Sequence, residues 1–136
     1  MIDEQIEAFL AGGPHAVVGA SRDRHKYGNK VLRSYQQAGM PVFAVNPRFD
    51  EGDEVEGAEA RGRLEDLPEA VHGISIITPP AVTERIVEEA VTLGIAHIWM
   101  QPGAESPIAI ERAEAAGISV IAGGACVLVR LGFPRG

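Results

Sequence analysis

The chain has 136 residues, of which 46% are hydrophobic, and a formal net charge of −7. This length predicts one domain, spanning residues 1–136, that can bury a core without disulfides or metal. The single cysteine, Cys126, excludes an internal disulfide and a cysteine-based zinc site. The acidic charge argues against nucleic acid or an anionic membrane as a partner. Because the sequence shows no signal-like N-terminus and no apolar run of membrane length, we expect a cytoplasmic location.

The first half of the chain predicts helix, strand, helix and strand in turn. A short apolar pattern at the start predicts a helix that ends at Gly12. Residues 15–20 form an apolar, β-branched run that is typical of a buried strand. Asn29 is a suitable N-cap for the next helix, and Gly39 is a suitable residue to end it. Residues 41–45 then predict a second strand.

The second half of the chain continues this alternation of strands and helices. Small residues, prolines and glycines separate the apolar runs, so that each run has a clear beginning and end. The predicted elements are an edge strand within 54–63, one or two helical turns in 64–70, strands at 73–77, 96–100 and 118–122, and helices at 80–94 and 106–117.

This alternation predicts an α/β protein with a Rossmann-like, doubly wound, mainly parallel sheet of five or six strands in three α/β/α layers. Ligands of such sheets bind outside the carboxyl ends of the strands, close to the point where the strand order reverses. The loops that follow the strands are therefore the places to look for a site. They are residues 19–29, 46–50, 78–81, 101–106 and 123–126.

The first of these loops has the composition of a phosphate site. Gly19, Ala20 and Ser21 let backbone amides approach a ligand closely, and the helix that follows begins near Gly28. Residues 22–33 carry five basic side chains against one acid, which suits an anion. The loop has neither the Gly-x-Gly-x-x-Gly pattern nor a P-loop pattern, so a turn that needs small residues for packing is the alternative interpretation.

The second loop argues against a plain NAD site. NAD-binding proteins usually carry an acidic residue here for the ribose hydroxyls, whereas this chain has Asn46, Pro47 and Arg48. The guanidinium of Arg48 suits an additional phosphate on the ligand. A proline-bounded turn with a surface arginine is the alternative.

The third loop is rich in proline and poor in hydrogen-bond donors, and the fourth contains a proline and a glycine. Thr78-Pro79-Pro80 forms a rigid wall that suits an extended, largely apolar arm, and Gln101 to Ala104 precede a helix start at the far end of the predicted cleft. A strand end followed by a helix start explains both segments equally well. The candidate ligand-binding residues are Gly19, Ala20, Ser21, Arg24, Lys26, Tyr27, Gly28, Asn29, Asn46, Pro47, Arg48, Thr78, Pro79, Pro80, Gln101 and Gly103.

The four motifs, in this order and at this spacing, resemble the small stand-alone coenzyme A-binding proteins. That family is related to the CoA-binding domain of succinyl-CoA synthetase α subunits. The resemblance extends over residues 5–126 and implies a single Rossmann-like CoA-binding domain. It implies phosphate contacts at Gly19, Ala20 and Ser21, adenosine contacts at Asn46 and Arg48, and pantetheine contacts at Thr78 and Pro79.

We therefore interpret the chain as a protein that binds coenzyme A or an acyl-CoA without catalysis of its own. The sequence contains no Ser-His-Asp order, no nucleophile-elbow motif and no histidine pair at metal-ligand spacing. One alternative is an NADP-dependent oxidoreductase in which Arg48 contacts the 2′-phosphate. Another is a nucleotide-sensing interaction protein, and a protein partner or a homo-oligomer is left open.

The histidines and the cysteine differ in their predicted positions. His15, His72 and His97 precede strands, so they are expected at the sheet edge opposite the ligand. Cys126 follows the last strand and is expected near the ligand edge. A buried, inert thiol is the favoured interpretation of Cys126, and exchange with the thiol of coenzyme A is the alternative.

Overall fold

The computed structural model describes residues 2–136, which form five α-helices and seven β-strands. The helices are α1 (Ile2–Ala11), α2 (Tyr27–Gln37), α3 (Pro80–Leu93), α4 (Pro107–Ala115) and α5 (Val127–Leu131). The strands are β1 (His15–Val18), β2 (Val42–Val45), β3 (Glu54–Val55), β4 (Ala58–Arg61), β5 (Gly73–Ile76), β6 (His97–Met100) and β7 (Ser119–Ile121). A single 3-10 turn, Leu64–Asp66, lies between β4 and β5.

The strands form one sheet in the order β3-β4-β2-β1-β5-β6-β7. Every neighbouring pair from β4 to β7 is parallel, whereas β3 runs antiparallel to β4. The chain proceeds outward from β1 to β2 and β4, returns to β5 beside β1, and then proceeds in the opposite direction. The reversal between β1 and β5 is the position where sheets of this type bind ligands. The predicted Rossmann-like fold is confirmed, with seven strands rather than five or six.

The additional strand lies in the segment where the sequence predicts one edge strand, residues 54–63. The segment instead contains the hairpin of β3 and β4, whose turn uses positive φ angles at Glu56 (51°) and Gly57 (81°). β4 pairs parallel with β2, and Ala60 lies opposite Ala44. On this side of the sheet the edge strand is therefore β3, and β4 lies inside it. Strands of two and four residues are too short for their alternation to reveal the turn between them.

The core is divided between the two faces of the sheet. Alternate residues of β1 point to opposite faces, so that Val17 packs with α1, α2 and α5 whereas Val18 packs with α3 and α4. The face of α2 carries the larger aromatic side chains, among them Phe9, Tyr35 and Trp99, all fully buried. This arrangement gives the predicted three layers.

The predicted ends of α1 at Gly12, of α2 at Gly39 and of α3 at Gly94 are confirmed, as is the start of α4 at Ser106, whereas the predicted N-cap of α2 is wrong. Ser106 caps α4 by accepting a hydrogen bond from the Ala109 amide (3.2 Å), and Gly94 ends α3 with a φ of 72°. Asn29, in contrast, lies inside α2, which begins at Tyr27. Its side chain makes tertiary contacts instead of capping the helix. Helix α5 was not predicted, because its five residues are too few for a periodic pattern.

The three histidines lie at the amino edge of the sheet, as predicted. The rings of His72 and His97 are 4.3 Å apart, and His15 lies beside His72. Ring nitrogens of His15 and His72 bond to the carbonyl oxygens of Phe9 and Ala8 near the end of α1, at 2.7 and 2.9 Å. Burial lowers the pKa of both His15 and His97. The imidazoles of His15 and His72 therefore join α1 to the sheet.

The described part of the chain shows neither a membrane-spanning helix nor a metal site. Residues 2–136 contain no helix that is both long and apolar enough to cross a membrane. The same residues contain no group of three or more His, Cys, Asp or Glu side chains that could hold a metal ion.

Candidate functional site

A large cleft opens at the carboxyl edge of the sheet, on the face covered by α3. Its volume is about 1250 Å³. The ends of β1, β2, β4 and β5 form its floor, and the 3-10 turn and α3 form its sides. The cleft lies beside the reversal of strand order between β1 and β5, where ligand sites of this fold class occur.

The floor of the cleft depends on the absence of a side chain at Gly19. Gly19 follows β1 with a φ of 97°, and its amide donates a hydrogen bond to the Val45 carbonyl oxygen at 2.9 Å. A Cβ at this position would overlap the carbonyl oxygen of Ile77 beyond β5. A Cβ at Gly28 would likewise overlap the Gly19 carbonyl oxygen. Strand β1, the start of α2 and the loop after β5 therefore meet through backbone atoms alone.

The side chain of Asn46 joins the first two loops. Its amide nitrogen donates to the Ala20 carbonyl oxygen at 3.0 Å, and its amide oxygen accepts from the Arg48 backbone amide at 3.0 Å. Asn46 and Pro47 line the cleft, with the ring of Phe49 beside them. The exposed side chain of Arg48 lies on the same turn, outside the residues that line the cleft.

Charged side chains of both signs surround the cleft. Arg61, Arg63 and Arg85 line it, together with the carboxylates of Asp50, Glu51, Asp66 and Glu89. Arg63 pairs with Glu65 at 3.0 Å, whereas no carboxylate within residues 2–136 lies within 4.0 Å of Arg85. Burial raises the pKa of Glu89, and the nearby arginines oppose this shift. Arg85 is therefore the cleft arginine best able to bind an external anion.

The basic segment of the first loop pairs with the acidic hairpin. Arg22 contacts Asp53 at 3.2 Å and lies over the ring of Phe49 at 5.2 Å. Arg24 contacts Glu56 at 3.4 Å, and Asn29 donates to the same carboxylate at 3.2 Å. The uneven charge of the two segments is thus partly balanced within the molecule, so that fewer of these cations are available to a ligand than their number indicates.

The loop after β5 forms one wall of the cleft. Thr78 and Pro79 line the cleft, and the hydroxyls of Thr78 and Thr83 are 2.7 Å apart. Pro79 is the N-cap residue of α3, and Pro80 occupies its first turn. The wall is consequently rigid, because two proline rings and a hydroxyl pair restrict it.

A second group of polar side chains lies at the same sheet edge, one strand beyond the cleft floor. We call Tyr27, Gln101 and Cys126 the thiol cluster. The Tyr27 hydroxyl contacts the Cys126 sulfur and lies 3.3 Å from the Gln101 amide oxygen, to which the Val127 amide also donates at 2.9 Å. Burial, and next the Cys126 contact, raise the pKa of Tyr27. Its phenol therefore keeps its proton at neutral pH.

The structure brings five of the predicted residues together in the cleft: Gly19, Asn46, Pro47, Thr78 and Pro79. The other eleven do not line it, and their assignment stays a prediction: Ala20, Ser21, Arg24, Lys26, Tyr27, Gly28, Asn29, Arg48, Pro80, Gln101 and Gly103. Several lining residues were not predicted, notably Phe49, Arg61, Arg63, Val82, Arg85 and Ile86. The last three belong to α3, where the sequence shows only the apolar stripe of a core helix.

Comparisons with known proteins identify the family and similar folds. A family model described as a CoA binding domain matches residues 15–132. A conserved hypothetical protein from Pyrococcus furiosus is 36% identical, over 88% of this chain and 99% of that chain, with a TM-score of 0.79. The cell-free ID.343 structure from Thermus thermophilus is 32% identical, over 96% and 99% of the two chains, with a TM-score of 0.85.

A larger enzyme shares the fold in part. A dinucleotide-forming acetyl-coenzyme A synthetase from Ca. Korarchaeum cryptofilum is 21% identical to the matched part of this chain, with a TM-score of 0.70. The match covers 84% of this chain but only 27% of the synthetase. At this identity the likeness concerns the fold alone.

Proposed function

The chain belongs to the CoA-binding domain family, and we propose that it binds coenzyme A or an acyl-CoA in the cleft at the carboxyl edge of its sheet. The observation that carries this proposal is the cleft itself. Its volume of about 1250 Å³ exceeds the roughly 300–1,000 Å³ of ordinary ligand pockets and suits a long ligand. Membership of the family supports coenzyme A as that ligand. We propose that residues 1–136 act as one binding domain.

The adenosine end of the ligand is assigned to the space between the tip of β2 and α3. Phe49, Val82 and Ile86 supply apolar surface there for a base. The 3′-phosphate is assigned to Arg48, whose exposed side chain follows Pro47 at the rim. Arg85, across the cleft, is the competing candidate for this phosphate.

The remainder of the ligand is assigned along the strand ends. The pyrophosphate is assigned to Gly19, Ala20 and Ser21, which follow the end of β1 beside the cleft. The pantetheine arm is placed against Thr78 and Pro79 and directed toward Gln101. This order follows the strand order from β2 through β1 and β5 to β6.

The proposed role is binding without catalysis. The residues that line the cleft, within the described chain, include no histidine, cysteine, serine or lysine. The cleft arginines and the small-residue floor suit the recognition of phosphates. A rival reading, an NADP-dependent oxidoreductase, would use the same Arg48 for a 2′-phosphate, and the binding experiment includes it.

Calorimetric titration with coenzyme A, dephospho-coenzyme A, NADP and NAD tests the proposal. We expect coenzyme A to bind most tightly. Loss of one charge-assisted contact at the 3′-phosphate is worth about 1.5–3 kcal/mol, which weakens dephospho-coenzyme A by roughly 10- to 150-fold. Tight NADP binding without coenzyme A binding would refute the proposal.

Two matched substitutions distinguish the two candidate arginines. Arg48→Gln is expected to remove most of the difference between coenzyme A and dephospho-coenzyme A, because the phosphate loses its cation. Arg85→Gln is expected to preserve that difference. The opposite result would assign the 3′-phosphate to Arg85 and overturn the role of Arg48, while the binding of coenzyme A itself would stand.

A further inference from the structure

The thiol cluster brings together three loops that follow different strands. Tyr27 begins α2, Gln101 follows β6, and Cys126 immediately precedes α5. Cys126 is the only cysteine in the chain and is partly exposed. Its sulfur contacts the hydroxyl of Tyr27, a residue that the sequence had already indicated as ligand-binding. The thiol is therefore held at the ligand edge of the sheet and is not enclosed in the core.

Gln101 provides a second and independent observation. Its side chain is fully buried, and the Val127 amide donates to its amide oxygen, which fixes the orientation of the amide group. The amide nitrogen of the same group, adjacent to the cluster, has no hydrogen-bond acceptor among residues 2–136. A buried donor without an acceptor is energetically unfavourable. An incoming carbonyl oxygen that displaces the atoms covering this nitrogen would supply the missing acceptor.

The cluster lies next to the cleft. Ile77 lines the cleft on one side and packs into the same apolar cluster as Tyr27 and Cys126 on the other. The backbone N–H of Gln101 donates to the Ile76 carbonyl oxygen at 3.1 Å, so Ile77 and Gln101 follow the ends of adjacent strands. Adjacent strands lie about 4.8 Å apart. An arm that leaves the cleft past Ile77 therefore reaches Gln101 one strand further on.

We propose that Cys126 forms a mixed disulfide with the thiol end of coenzyme A, with Tyr27 and Gln101 as positioning residues. The inference rests on the proposed function, since it requires the pantetheine arm to follow the strand ends. An amide carbonyl of that arm accepts the hydrogen bond that the Gln101 nitrogen lacks. The sulfur of the ligand then lies beside Cys126.

The reaction is a thiol–disulfide exchange whose oxidant is the disulfide of coenzyme A. Cys126 loses its proton to solvent, and the thiolate attacks one sulfur of the ligand disulfide. A bond forms between the Cys126 sulfur and that sulfur, while the original disulfide bond breaks. The second coenzyme A leaves as a thiolate and takes up a proton. Cys126 is thereby oxidised, and one ligand sulfur is reduced to a thiol.

The Tyr27 hydroxyl has a defined task in this step. In the thiol form, the Cys126 S–H can donate to the phenol oxygen while the phenol O–H donates to Gln101. Once the thiol is deprotonated, the phenol O–H can instead donate to the thiolate. Because burial keeps the Tyr27 pKa high, the phenol retains the proton that this contact needs. Tyr27 thus stabilises the attacking form of Cys126.

Intact-mass spectrometry of the reduced, full-length protein mixed with coenzyme A disulfide tests the inference. We expect one coenzyme A adduct per chain, formed at a rate that saturates with disulfide concentration. The rate should exceed that with glutathione disulfide by at least about tenfold. Desulfo-coenzyme A, which has no thiol, should inhibit the reaction. Equal rates for the two disulfides, or no inhibition by desulfo-coenzyme A, would overturn the inference.

The Tyr27→Phe variant tests the positioning role through the pH profile of adduct formation. Without the phenol O–H, the rate should rise to its maximum at a higher pH than in the native protein. An unchanged profile would remove Tyr27 from the step. Circular dichroism of the variant at each pH controls for folding.

A further titration distinguishes failure of the inference from failure of the proposed function. Cys126→Ser is titrated with desulfo-coenzyme A, a combination that cannot form a disulfide. Binding together with an unselective adduct in the native protein leaves the proposed function intact and rejects the role of Cys126. Absence of binding rejects the proposed function itself, and the inference with it.

Discussion

Replacement of Gly19 by alanine tests whether backbone contact between the ends of β1 and β5 forms the cleft floor. Gly19 has a φ of 97°, a conformation that side-chain-bearing residues rarely adopt. An added Cβ would overlap the Ile77 carbonyl oxygen and lie 2.8 Å from its carbonyl carbon. Both neighbours are backbone atoms that cannot rotate away. Conformational strain and steric overlap therefore add at this one position.

Two other glycines separate these contributions. Gly39 has a φ of 74° but no atom within 4 Å of its Cβ position, so Gly39→Ala measures strain alone, about 1–2 kcal/mol. Gly28 lies within α2 and would overlap the Gly19 carbonyl oxygen, so Gly28→Ala measures an overlap of about 1–3 kcal/mol, reduced by the roughly 1 kcal/mol by which alanine favours a helix over glycine. For Gly19→Ala the two terms together lower the free energy of unfolding by about 2–5 kcal/mol.

Urea denaturation measures these free energies directly. The single tryptophan, Trp99, is fully buried and donates a hydrogen bond to the Ala125 carbonyl oxygen, so its fluorescence reports on unfolding near the ligand edge. Circular dichroism provides a second probe of the same transition. A Gly19→Ala variant no less stable than Gly39→Ala would refute the close contact with Ile77. The same variant, titrated while folded, is expected to bind coenzyme A more weakly, since the floor must move.

Further predictions concern pH, a buried hydrogen bond and a helix cap. Burial holds the pKa of His15 and His97 below 6.5, so the unfolded chain binds more protons than the folded chain as the pH falls. The free energy of unfolding should therefore decrease below about pH 6.5 and level off below the folded-state pKa values, and a constant urea midpoint from pH 8 to 5 would contradict this. Tyr35→Phe leaves the buried Ser75 hydroxyl, 2.6 Å away, without its partner, and should destabilise by about 1–3 kcal/mol, with a partial recovery when Ser75→Ala is added. Ser106→Ala removes the α4 cap and the 2.7 Å hydrogen bond from the Ser106 hydroxyl to Glu84, and should lower the thermal midpoint through a loss of at least about 1 kcal/mol, whereas an unchanged midpoint would assign no stabilising role to either hydrogen bond.

The fold could be predicted where local chemistry and tertiary structure agree. The long apolar stripe of α3 and its terminal Gly94 define that helix without reference to the rest of the chain. Asn29 shows the opposite case. Asparagine is a favoured N-cap residue, yet the side-chain nitrogen of Asn29 donates to the Ser21 carbonyl oxygen at 2.8 Å. Its side-chain oxygen accepts a hydrogen bond from the Arg33 guanidinium at 2.7 Å. Ser21 belongs to the folded first loop, which no local pattern describes, whereas Arg33 lies one turn further along α2.

The candidate site could be predicted only along the loops that follow strands. Parallel topology alone brings Gly19, Asn46 and Thr78 to one edge, so their convergence follows from the order of elements. Arg85 belongs to a helix face, where an isolated arginine resembles any solvated side chain. Arg24 was included for its charge, but its proximity to Glu56, thirty-two residues away, depends on the hairpin turn. Pairings of this kind arise from tertiary structure.

The charges around the cleft indicate that anion recognition depends on individual contacts more than on the field of the whole protein. The chain carries a net charge of −7, and the cleft lining itself holds four carboxylates and three arginines. Exposed charges of mixed sign largely cancel beyond a Debye length of about 8 Å at physiological salt. Arg61 is paired with Glu59, and Arg63 with Glu65. Binding of a phosphate to either arginine would compete with an existing ion pair, whereas the unpaired Arg85 and the exposed Arg48 face no such competition within residues 2–136. These two arginines are therefore where substitution should most clearly separate recognition of a terminal phosphate from general electrostatic attraction.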